Sequence, residues 1–119
     1  MMKKFALAML LVVLAMGAAG ANDYGPSQDF VLHNMTGKTM VSMYIGPSGG
    51  STWRAEDELG DYALAHGASV EINFAPWDYA RYWDIFVEFE DGSGAEYDHF
   101  DLFTISEITL NKGGLATYK

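Results

Sequence analysis

The chain has 119 residues, a net charge of −9 and no cysteine. That length supports one hydrophobic core, and an acidic surface repels phosphate backbones, so nucleic acid is excluded as a partner and metal cations or basic proteins are favoured. Without cysteine there are no disulfides, no thiolate metal sites and no lipid attachment through sulfur.

The chain opens with Met1-Met2-Lys3-Lys4, a short positive segment, followed by the uncharged apolar run from Phe5 to Met16. Small residues then take over, and Ala19-Gly20-Ala21 fits the small-x-small requirement of a signal peptidase. Residues 1–21 are read as a cleavable signal peptide, because twelve apolar residues fall well short of the roughly 20 that cross a bilayer. The expected product is periplasmic or secreted, with no membrane insertion after cleavage. Loss of Lys3 and Lys4 with the leader takes the net charge from −9 to −11. Residues 22–28, polar and holding Gly25-Pro26, read as a flexible leader to a domain spanning 29–119.

Phe30 and Leu32 sort onto one face and Val31 and His33 onto the other, predicting a strand that ends at the turn residues Asn34-Met35-Thr36-Gly37. A second run, Lys38 to Ile45, stops at Gly46-Pro47-Ser48-Gly49-Gly50, and the two runs read as a hairpin. Trp53 to Ala68 reads as an acidic connecting loop, with one helical turn at Glu56-Asp57-Glu58-Leu59 closed by Gly60.

Val70, Ile72 and Phe74 alternate with Glu71 and Asn73, which predicts a half-buried strand over residues 69–74. From Arg81 to Glu90 the alternation returns, placing Trp83, Ile85, Val87 and Phe89 inward on a central strand. Asp91-Gly92-Ser93-Gly94 is a hairpin tip. Three short strands follow over 95–103, 107–110 and 115–118, the last two separated by Asn111-Lys112-Gly113-Gly114. About seven strands with regular turn signals and almost no helical periodicity predict an all-β fold, a single antiparallel β-sandwich or small barrel. Aromatic residues (Phe 7, Tyr 7, Trp 3) supply the apolar area that a core without covalent staples needs.

The ordered series Asn34-x-Thr36-Gly37, Tyr44-Ile45-x-Pro47-Ser48, Trp53 ahead of Asp57-x-Leu59-Gly60, Leu64-x-x-Gly67 and Trp83-Asp84-Ile85-x-Val87-x-Phe89-x-Asp91-Gly92 resembles a family of small secreted bacterial β proteins. The resemblance implies export and a β fold, and it carries over no catalytic residue. Many members of that family hold one cysteine just before the Trp-Asp-Ile segment and another after the Asp-Gly hairpin. Here Arg81 and Tyr82 lie near the first position and Phe103 near the second.

Candidate chemistry is sparse. Asp57 and Asp61 in the acidic loop, with Asp91 and Asp98 around the hairpin, offer hard oxygens to Ca²⁺, although their spacing misses the helix-loop-helix calcium pattern. Glu96 and Asp101 belong to the second of these acidic groups. Asp84 interrupts an apolar strand, as a hydrogen-bonded structural acid or as a carboxylate facing a ligand. His33, His66 and His99 are too scattered for a zinc spacing. Neither a Gly-x-Ser-x-Gly elbow nor a phosphate-cradling lysine loop is present. Trp53, Trp77 and Tyr79 fall in connecting segments, where rings stack on a sugar or grip a protein, or fold back to cap the sandwich. The expectation is an exported, non-enzymatic binding or interaction domain with a protein or carbohydrate partner. A calcium-stabilised module is the alternative and a small hydrolase the third reading.

Overall fold

The computed structural model describes residues 5–7 (backbone only), 27–50, 56–75 and 80–119. The rest of the predicted leader, and Trp53, Trp77 and Tyr79, lie outside the described residues.

The architecture is all-β, and two packed sheets enclose one core. The strands are β1 (Phe5–Leu7), β2 (Phe30–Met35), β3 (Met40–Pro47), β4 (Tyr62–Leu64), β5 (Ser69–Ile72), β6 (Trp83–Phe89), β7 (Gly94–Phe100), β8 (Glu107–Asn111) and β9 (Leu115–Tyr118). One sheet runs β1-β4-β3-β6-β7 and the other β5-β2-β8-β9. Pairing is antiparallel except for β1 with β4 and β2 with β8, which are parallel.

The alternation read from sequence on β6 is the alternation of burial. Trp83, Ile85, Val87 and Phe89 are buried, and Asp84, Phe86 and Glu88 face outward. β6 is flanked on both sides, by β3 and β7. Phe30 and Leu32 of β2, Ile108 and Leu110 of β8, and Ile72 of β5 meet them from the other sheet. Val70 and Phe74 are only half-buried, with Phe74 against Trp83 at 4.8 Å between ring centroids. Gln28, grouped on sequence with the leader, is buried and accepts a hydrogen bond from Trp83 Nε1 at 3.0 Å. Burying an indole N–H without an acceptor is costly, and Gln28 removes that cost.

Two expectations are corrected. First, β2 and β3 do not form a hairpin: the chain crosses from one sheet to the other between them. Asn34 holds that crossover. It is fully buried, its Nδ2 donates to the carbonyls of Lys38 (2.9 Å) and Leu64 (2.8 Å), and its Oδ1 accepts from Thr36 N and Thr36 Oγ1. A side chain thus satisfies backbone groups that a hairpin ladder would otherwise pair. Second, the acidic connecting segment contains β4, which follows the turn at Gly60 (φ +60) and meets β3 through Met40 opposite Leu64.

A bulge near Met40–Ser42 shifts the register of β3 on β6, so Met40 and Met43 both point into the core despite an odd spacing. At one end of the sandwich the β2–β3 crossover, the β6–β7 hairpin and the 3-10 turn Lys112–Gly114 come together. Tyr97 ties the two sheets there, its hydroxyl donating to the Asn111 carbonyl at 3.0 Å.

Candidate functional site

Two features of the described residues gather chemistry, one on the outer face of β6 and β7 and one at the end of the sandwich.

On the outer face, Trp83 pairs with Phe100 but Ile85 pairs with Tyr97, so Asp98 and His99 together oppose Asp84. This is a β-bulge, and its second residue, His99, takes the left-handed conformation (φ +71) that side chains other than glycine's rarely adopt. Two contacts hold it. The His99 backbone N–H donates to Asp84 Oδ1 at 2.9 Å, and its ring stacks on Tyr82 at 4.0 Å. Asp84 Oδ1 also accepts from Ser48 Oγ at 2.5 Å. The sequence reading of Asp84 as a hydrogen-bonded acid therefore matches two of its contacts.

The bulge also brings carboxylates together. Asp84, Glu96 and Asp98 each present an oxygen, all within 4.8 Å of one another, and they are the single such group among the described residues. A hydrogen bond to Asp98 raises the Glu96 carboxyl above its ordinary value, with partial burial and the charges of Asp98 and Asp84 adding to the effect. Three oxygens at this separation can hold half or fewer of the six to eight ligands that Ca²⁺ takes.

The other acids named from sequence are elsewhere. Asp57 accepts the backbone N–H groups of Met43 and Leu59, each at 2.9 Å, and so pins the acidic turn to β3. Asp61 is exposed beside that turn. Asp91 caps its own hairpin, accepting from Ser93 N (2.9 Å) and Ser93 Oγ (2.5 Å), and pairs with Lys38 at 3.0 Å. The Ser93 hydroxyl, the Ser93 backbone N–H and the Lys38 ammonium hold the Asp91 carboxyl far below the usual carboxylate range. Asp101 takes Arg81 at 3.3 Å. Of the four calcium candidates, only Asp98 joins the triad; Glu96 and Asp84 complete it.

The histidines are also separate. His33 bridges Ser69 Oγ (2.6 Å) and Glu107 Oε1 (3.0 Å) across the second sheet, and His66 Nδ1 accepts the Gly37 N–H.

The second feature is a half-open cleft of about 650 Å³ where the three turns meet, lined by residues 36–38, Phe89, 93–97 and 112–114. Its volume lies in the range of small-molecule sites. Lys38 stands over the Phe89 ring at 5.3 Å, held by Asp91 and by Ser93 Oγ (3.1 Å). Lys112 crosses the top of the cleft: a Cβ placed on Gly37 would lie 3.4 Å from Lys112 Cε. No sequence motif marks this site. The only signal was a lone cation in the glycine turn Asn111-Lys112-Gly113-Gly114.

A smaller hollow of about 230 Å³ lies beside Glu56, Glu58 and Asn73. No helix among the described residues is long and apolar enough to cross a membrane. Compared with protein-family models, curated proteins and solved structures, the chain matches none.

Proposed function

We propose that this chain is an exported, non-enzymatic binding domain and that it binds through the cleft at the end of the sandwich. The observation that carries this reading is the convergence of three turns on one concave site of ligand size, which among the described residues holds a cation without a partner, apolar side chains and no catalytic couple. The hydroxyls beside it are engaged. Thr36 Oγ1 donates to Asn34, Tyr97 OH donates to Asn111, and Ser93 Oγ donates to Asp91, whose depressed pKa makes it a poor general base. Export rests on the Lys3-Lys4 segment, the apolar run and Ala19-Gly20-Ala21.

A fragment screen by two-dimensional NMR on the purified chain tests the site. Hits should move the amides of residues 36–38, 93–97 and 112–114 together, and hits that cluster on another surface would retire the cleft. N-terminal sequencing of protein recovered outside the cytoplasm should begin at Asn22.

The second reading is a calcium-stabilised module, favoured by the Asp84, Glu96 and Asp98 triad. Three mutually repelling carboxylates on a β-bulge are relieved by a cation, with water completing its shell.

A further inference from the structure

We propose that the cleft takes a carboxylate carried on an apolar body, an inference that rests on the cleft being the binding site and names the chemistry of its ligand.

Lys112 carries the charge recognition. It is exposed, its stem lies over Gly37, and among the described residues its amine makes no hydrogen bond or ion pair. In a chain with 16 acids against 7 bases, a lysine at the rim of a cleft would ordinarily meet a carboxylate. Glu96 in the lining and Asp91 at the adjoining hairpin are already committed: Asp91 to Lys38 and Ser93, and Glu96 to Asp98. Glu96 offers the cleft its backbone carbonyl, which faces Gly114.

The wall also has an apolar part, beside the polar lining of Thr36, Lys38, Ser93 and Glu96. Phe89 and Tyr97 form its floor with Ala95, and Gly113 and Gly114 add no side chains to narrow the approach. Gly113 adopts φ +74 and nothing lies within 4 Å of a Cβ built on it, so the mouth is open on that side.

One free amine balances one negative charge. The surrounding field of a chain at −9 penalises a dianion, which selects a carboxylate over a phosphate monoester. Such a carboxylate belongs either to a free small molecule or to the last residue of a peptide, and the recognition chemistry is the same.

The test is NMR titration of the purified chain with 3-phenylpropionate and with its neutral isostere 3-phenylpropanamide. Acetylated tripeptides ending in phenylalanine, with free or amidated carboxyl ends, form the second arm. The acids should give saturable shifts at the amides of Ala95, Lys112, Gly113 and Gly114, with dissociation constants at least about threefold lower than the amides, the upper range for one exposed ion pair. Lys112→Gln should remove that difference and Lys112→Arg should keep it; neither change breaks a hydrogen bond or ion pair among the described residues. A free-acid tripeptide that binds more tightly than 3-phenylpropionate assigns the peptide source, and equal binding assigns the small molecule.

If acid and amide bind equally at the cleft, the carboxylate assignment is overturned while the cleft stands as the site. If no probe moves the cleft amides, or if Lys112→Gln binds the acids as tightly as the unaltered chain, the inference fails.

Discussion

Asn34 is where the fold is most exposed to a single change. Asn34→Ala removes four hydrogen bonds: two donated by Nδ2 to the Lys38 and Leu64 carbonyls, and two accepted by Oδ1 from Thr36. At a net value of about 1 kcal/mol each, the loss is about 4 kcal/mol. Thr36 Oγ1 already lies 3.2 Å from the Lys38 carbonyl and can turn fully to it, which restores about 1 kcal/mol and leaves a loss of about 3 kcal/mol. A domain of this kind is stable by roughly 5–15 kcal/mol, so the loss is a large fraction of the whole. Urea unfolding followed by tryptophan fluorescence should place the variant's midpoint about 2 M below that of the unaltered chain, for a slope of about 1.5 kcal/mol/M. Asn34→Asp should be nearly as damaging at neutral pH, since it points an oxygen at two carbonyl oxygens. Met35→Ala, at a neighbouring position 45% exposed, is the control and should stay within about 0.5 kcal/mol. An Asn34→Ala midpoint within about 0.5 M of the unaltered chain would show that the crossover does not depend on this side chain.

Trp83→Ala should lower stability by about 3–5 kcal/mol through the cavity it leaves, and Gln28→Ala by about 1 kcal/mol through the orphaned indole N–H; the same urea titration reads both. Asp91 gives the pH dependence. Its folded pKa is depressed, so its contribution is complete above its ordinary value of 3.8 and fades as the pH falls below that value. Carboxyl-detected NMR should find Asp91 still ionised at about pH 3, roughly one unit below where free aspartate titrates, and a titration step at the ordinary value would contradict the cap. For calcium, melting in EDTA and then in millimolar Ca²⁺ should differ by about 7 °C at about tenfold excess over the dissociation constant, with the difference abolished in Asp98→Asn. Identical melting curves would remove the calcium reading.

Legibility in the sequence followed the locality of each cause. The outward and inward faces of Trp83 to Phe89 could be read because a strand's period of two is a property of the strand alone. β4 could not, because Tyr62–Leu64 is three residues long and touches β3 at one register position, so its cause is non-local. Asn34-Met35-Thr36-Gly37 has the composition of a hairpin turn, and the difference lies in where one amide side chain reaches, 30 residues along the chain to Leu64. The same division runs through the candidate sites. The caps made by Asp57 and Asp91 were available in principle, since Asp57-x-Leu59 and Asp91-x-Ser93 each place a backbone N–H two residues after the acid. The triad was not, because it depends on a bulge whose left-handed residue is His99, where a glycine would have given the signal.

The acids of this chain divide by the kind of backbone that carries them. In turns, Asp57, Asp91 and Asp101 lie within reach of an N–H two residues ahead, and that donor absorbs the carboxylate charge locally. On β6 and β7 most N–H groups serve the ladder and the bulge frees that of His99 for Asp84, so Asp84, Glu96 and Asp98 have fewer local donors and press against one another. The turn at Asn111 to Gly114 reverses the pattern, since it holds a cation and no acid, and Asp91 across the cleft is already engaged by Ser93 and Lys38. Among the described residues, the amine of Lys112 thus stands without an acid at the cleft, while the carboxylates of Asp84, Glu96 and Asp98 crowd together on an outer sheet face. A cation should therefore move the amides of Asp84 and Asp98 and an anion those of Lys112 and Gly113, with Glu96 common to both surfaces, and a single probe that moved both pairs equally would mean that the two surfaces respond as one.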